Sequence, residues 1–132
     1  MRTMQGKKRR GAAAVEMAIV TPVLLTFLFG IIEFGWMFSI KNTLVNAARE
    51  GARFGALEGT TVDEIEAVVV DALEPMGLSG KATINVVEPS EDDPIVTVTA
   101  SVTQSQVSLV GNYFGTWSGT ISGTASMRRE GN

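Results

Sequence analysis

Three patterns of apolar and polar positions follow one another along the chain. Residues 17–32 are sixteen consecutive positions without a charge, and apolar flanks at 12–15 and 34–40 lengthen the run. A helix needs about 20 residues to cross a bilayer, so this run predicts a transmembrane helix. Pro22 lies inside it and predicts a kink or one loosened turn, which membrane helices tolerate when neighbouring groups satisfy the freed backbone. From 41 to 57 the pattern changes to small residues. Ala47, Gly51 and Gly55 form one i, i+4 row, and Ala48, Ala52 and Ala56 form the next. Such rows let a second helix or a sheet come close to the backbone. They predict that the helix continues beyond the membrane, packed either on this chain's own C-terminal sheet or on a helix of a neighbouring subunit.

The third pattern is that of a small α+β module. Gly59-Thr60-Thr61 breaks the first helix, and Thr61-Val62-Asp63-Glu64 fits a capping box for a second. Val62, Ile65, Val69, Ala72, Leu73 and Met76 recur at steps of three and four, and Pro75 and Gly77 end the helix near Leu73. Residues 82–87 alternate, as do Val96, Val98, Ala100 and Val102 with Thr97, Thr99, Ser101 and Thr103. With an acidic turn at 88–94 between them, these predict two antiparallel strands with one buried face. A third strand is predicted at 118–128, with Ile121, Ala125 and Met127 on one side. The connection before it is the most apolar part of this region, and predicts Tyr113, Phe114 and Trp117 tucked into the core or, if exposed, forming an interaction patch. The fold class is α+β: a long transmembrane helix continuing into a small domain with a second helix and a three-stranded antiparallel meander.

Charge orients this arrangement. Residues 1–11 hold five cations and no acid, whereas residues 41–132 hold six cations and twelve acids. Basic residues before a span stay on the cytoplasmic side, so the acidic remainder is predicted to be exported. The divisions are a basic leader at 1–11, the helix with its extension at 12–57, and the exported domain at 58–132. Glu16 and Glu33 lie about 25 Å apart along the helix axis. That places Glu33 near the outer boundary, with Trp36 as an interfacial anchor and Lys41 beyond it in water. Glu16 near the start of the run is the anomaly, because a carboxylate in hydrocarbon costs on the order of 2–3.5 kcal/mol. A secretory signal explains it no better, since its apolar core is shorter and ends at a small-x-small cut site.

The residue inventory narrows the chemistry. The chain has no cysteine and no histidine, which removes disulfides, common triads and zinc sites. Glu88, Glu91, Asp92 and Asp93 lack the glycine and spacing of an EF-hand loop, so they are read as a solvated turn. No metal and no cofactor is implied. An acidic exported part also argues against nucleic-acid binding. Nothing in the sequence points to an enzyme.

The basic leader, Gly11, the stretch Ala12-Ala13-Ala14-Val15 and Glu16 at the head of a hydrophobic helix resemble a type IV prepilin processing signal. The segments Gly11 to Leu25, Phe29-Gly30-Ile31-Ile32-Glu33-Phe34-Gly35 and Ala47-Ala48-Arg49-Glu50-Gly51-Ala52-Arg53-Phe54 are similar to TadE-like and TadG-like proteins, minor pilins or pseudopilins of tight-adherence (Flp) systems. The resemblance implies cleavage between Gly11 and Ala12 by a prepilin peptidase, a membrane aspartic peptidase acting on the cytoplasmic side. Glu16 would then be the fifth mature residue, and in the family that glutamate sets register during assembly. A new ammonium at Ala12, one helical turn away on the same or a neighbouring subunit, would pair with it. The implied partners are the membrane, the peptidase, other pilin or pseudopilin subunits and the pilus assembly platform. The implied location is the bacterial inner membrane, single pass, or an extracellular pilus. Met17 replaces the tyrosine that follows the glutamate in major Flp pilins, and this chain is much longer than they are, which points to a minor component. A second reading is an uncleaved single-pass envelope protein whose exported domain binds a partner. A third is a membrane-anchored enzyme of unrecognised type.

Overall fold

A computed structural model describes residues 5–90, 92–115 and 118–129, with the backbone alone at 5–10, 112 and 114. Two units result, one ending at Phe34 and one formed by Gly35–Asn132. Helix α1 runs Gln5–Gly55 without interruption, and Pro22 does not break it. The Thr26 hydroxyl donates to the Pro22 carbonyl at 2.8 Å, a local bond that a mid-helix threonine commonly makes.

The first unit is α1 up to Phe34. Every residue from 11 to 28 is exposed, on all sides of the helix. Many side chains of this unit are large, apolar and exposed, among them Phe27, Ile31 and Phe34 at 68%, 71% and 75% exposure.

The second unit is the α+β domain. Its part of α1 ends at Gly55, and in the turn that follows Gly59 takes a left-handed φ of 83° and the Thr60 hydroxyl donates to the Leu57 carbonyl at 2.9 Å. Helix α2, Val62–Leu73, starts at a complete capping box. Glu64 Oε2 accepts from the Thr61 backbone N–H at 2.9 Å, and Thr61 Oγ1 accepts from the Glu64 N–H at 3.4 Å. These bonds hold the Glu64 carboxyl below its ordinary pKa, the Thr61 backbone N–H first and its hydroxyl second. Ile65, Val69 and Leu73 form the buried face of α2, as their four-residue spacing requires. A 3₁₀ turn, Glu74–Met76, and the left-handed Gly77 close it, and Leu78 then turns back into the core.

Strands β1 (Thr83–Val87), β2 (Ile95–Thr103) and β3 (Thr120–Arg128) form an antiparallel meander with β2 in the middle. The alternation in β2 sends Val96, Val98, Ala100 and Val102 inward, all buried. They meet Ile40, Leu44, Ala47, Ala48 and Ala52 of α1 and the buried face of α2 in one core. A fully buried Val, Leu or Ile contributes about 1.5–3 kcal/mol, so this helix-on-sheet layer dominates the domain's stability. The opposite sheet face is hydroxyl-rich. Thr97 bonds Ser126 at 2.8 Å and Thr99 bonds Thr124 at 3.0 Å across β2 and β3.

The connection from β2 to β3 departs from the first of the two arrangements expected for it. It contains a short helix α3, Gln104–Val107, and a 3₁₀ turn, Gly111–Phe114. Its Tyr113 is 54% exposed rather than tucked into the core. Val107 takes the buried place instead, because α3 directs it inward directly after β2 ends. The Phe114 side chain and Trp117 lie outside the described residues, as does Glu91 of the acidic turn. That turn is closed by reciprocal backbone bonds between Ser90 and Asp93, at 2.8 and 3.2 Å.

Candidate processing and assembly sites

Gly11, Ala12 and Glu16 all lie on exposed helix. Ala12 and Glu16 are i, i+4 neighbours and so share a face, about 6 Å apart along the axis. Glu16 has no hydrogen-bond or ion-pair partner among the described residues. A β-carbon added at Gly11 would meet nothing within 4 Å, so no packing demand explains a glycine there. Inside a helix, glycine costs roughly 0.5–1 kcal/mol relative to alanine. Gly35 is equally open; Gly11 differs in standing between a basic leader and Glu16.

The small-residue rows have a different setting. Ala47, Ala48, Gly51, Ala52, Gly55 and Ala56 are all buried within the domain. A β-carbon at Gly51 would run into Val69 Cγ2 and lie 3.4 Å from Val98 Cγ1, and one at Gly55 would lie 2.7 Å from Ile65 Cδ1 and 3.1 Å from Val96 Cγ2. The rows are therefore filled by α2 and β2 of the same chain, leaving no open seam there for a neighbouring helix. On the opposite side, exposed Arg53 pairs with Glu50 at 3.2 Å, a bond worth a few tenths of a kcal/mol.

Three contacts of the domain escape a local reading of the sequence. Trp36, expected as an interfacial anchor, is half-buried and donates its Nε1–H to the Val107 carbonyl at 2.7 Å. Lys41, expected in water, is exposed and donates Nζ–H to the Ser122 carbonyl. Neither partner is near in sequence, so no spacing signals them. Gly123 carries more signal, because glycine inside a strand often marks a close backbone approach. A β-carbon there would overlap the carbonyl carbon of Leu44 and the nitrogen of Val45.

Of the 45 residues from Gly11 to Gly55, the apolar part is long and apolar enough to cross a membrane, and it is the one such helix among the described residues. This is consistent with a single-pass membrane protein. Among the same residues no three potential ligand side chains come together as a metal site. Residues 11–53 match the family model of TadE-like proteins. Over this stretch α1 is similar to TadE-like proteins. The TadE-like match starts at the candidate cleavage glycine and ends in the last turn of α1, taking in Glu16, the apolar surface and most of both small-residue rows. Residues 54–132 lie outside it. The comparisons with curated proteins and with solved structures found no match.

Proposed function

We propose that this chain is a minor pilin or pseudopilin of a tight-adherence pilus, a structural subunit that acts in assembly or priming rather than an enzyme. Prepilin peptidase cuts between Gly11 and Ala12 on the cytoplasmic face. Residues 12–40 hold the mature chain in the inner membrane, and the α+β domain is exported. The observation that carries the reading is a helix exposed on every side from 11 to 28 that begins, within the TadE-like match, with an unconstrained glycine and a glutamate that has no partner among the described residues.

The mechanism follows from charge. Cleavage places an ammonium at Ala12 one turn from Glu16, and each neutralises the other where an isolated charge is costly. If the partner ammonium belongs to an adjacent subunit, the pair also fixes the axial register between two otherwise featureless apolar helices. The apolar surface supplies adhesion to lipid or to other helices, and the charge pair supplies position.

Mass spectrometry of the protein recovered from native membranes tests this. The expected chain begins at Ala12, and a Gly11→Leu variant retains its leader. Retention of residues 1–11 in both proteins would replace this reading with that of an uncleaved single-pass envelope protein. Glu16→Gln is expected to be cut normally yet lost from the assembled fraction.

A further inference from the structure

We infer that the connection between β2 and β3, residues 107–113, rests in the outer interface of the bilayer, with Leu109 and Tyr113 turned to lipid. This rests on the reading that α1 spans the membrane. The Trp36 Nε1 bond to the Val107 carbonyl, 2.7 Å long, fixes the height of the connection on α1. Exposed apolar surface on α1 continues beyond that height: Phe38 is 60% exposed, and Ile40 is the first fully buried residue. Phe38 lies about 3 Å further along the axis than Trp36, so the connection starts where the helix still presents a surface suited to lipid.

The connection itself has the composition of an interfacial segment. Leu109 and Tyr113 are more than half exposed, and Tyr is enriched where one end of a side chain is apolar and the other wet. No charged residue occurs from Pro94 to Met127. The acidic turn before β2 lies at the far end. Gly55 faces Val96, Gly51 faces Val98 and Leu44 faces Gly123, the partner of Ala100, so α1 and β2 run in opposite directions. Asp92 and Asp93 precede β2 and the connection follows it, and a nine-residue strand separates its ends by about 27 Å. Along β2 the chain thus has an uncharged connection on the Trp36 side and an acidic turn at the opposite end. The Lys41 ammonium, beside Ser122, stands near the end of β2 that leads into the connection, at a level suited to lipid phosphates.

The full chain has no cysteine, so single cysteines at Phe27, Leu109 and Asp92 can each carry an environment-sensitive fluorophore. After reconstitution in phosphatidylcholine–phosphatidylglycerol vesicles, quenching is compared for doxyl groups near the headgroup, doxyl groups near the bilayer centre, and aqueous iodide. The expected result is quenching of Phe27→Cys by the central group and of Leu109→Cys by the headgroup-level group. Leu109→Cys should also be several-fold less sensitive to iodide than Asp92→Cys. If Phe27→Cys is quenched from the bilayer centre while Leu109→Cys responds to iodide as Asp92→Cys does, the inference is overturned and the span stands. If Phe27→Cys is not quenched from the bilayer centre, the span fails and the inference fails with it.

Discussion

Leu28 and Leu44 are leucines of one helix in opposite circumstances: Leu28 is half exposed and Leu44 fully buried. Around Leu28 the helix carries Phe, Ile and Leu, and those side chains extend away from the backbone with little of the described residues over them. Around Leu44 and beyond, one face is reduced to Ala and Gly, and the sheet and α2 lie against it. Hydrophobicity is high in both regions. Side-chain size separates them, because a close-packed partner needs small residues at the contact, whereas lipid or a row of similar helices accepts bulk all round. The first half depends on an external medium; the second carries its own cover.

The harshest way to break the second half is at its closest contact. Gly123→Val would place a side chain where the Leu44 and Val45 backbone already lies, and neither strand nor helix can yield as a flexible side chain would. We expect a loss of about 3 kcal/mol or more, at the upper end of overpacking costs. It would be read as lost hydrogen-exchange protection of the β2 amides in detergent-solubilised protein. Retained protection would mean that β3 and α1 are further apart than the glycine implies.

A gentler experiment makes the same change in both halves. Leu44→Ala should cost about 2–5 kcal/mol, the range for a leucine truncated in a packed core. Leu28→Ala should leave domain stability within about 0.5 kcal/mol, as at an exposed site. The midpoint of thermal loss of sheet signal reports both. Equal effects would erase the distinction between the halves.

Periodicity made much of this fold legible. The capping box at Thr61 and Glu64, the apolar face of α2 and the alternation of β2 are local patterns with one physical solution each, and the elements stand where those patterns put them. The small-residue rows at 47–56 announced a close approach but not its partner, since spacing records how near a neighbour comes and not which chain it belongs to. Trp36 and Lys41 were legible only as a tryptophan and a lysine after a span; their partners, Val107 and Ser122, arrive through tertiary folding. For Tyr113 the sequence left burial and exposure both open, because aromatic content suggests either; α3 places Val107 in the core and leaves Tyr113 outside. Gly11, Ala12 and Glu16 form a pattern visible in the sequence. Its meaning depends on cleavage and on neighbouring chains, which no feature of a single folded chain supplies.

The smallest effect concerns the helix that covers Gly51 and Gly55. Helix α2 brings Ile65 and Val69 over these glycines, and its first turn is fastened by the Thr61–Glu64 box. Because the Glu64 pKa is lowered in the fold, its contribution has a definite pH sign. Above the ordinary carboxylate range both folded and unfolded chains carry the ionised group, and the folded one keeps its Thr61 bonds in full. As pH falls, the unfolded chain takes up the proton first, so the contribution shrinks, and it is gone once pH is below the lowered folded value. Wild type should therefore unfold at a slightly higher temperature than Glu64→Gln at neutral pH, and the difference should close on the acid side of the carboxylate range. A gap that is independent of pH would show that Glu64 acts through shape alone, and that the cover over the glycines holds without its charge.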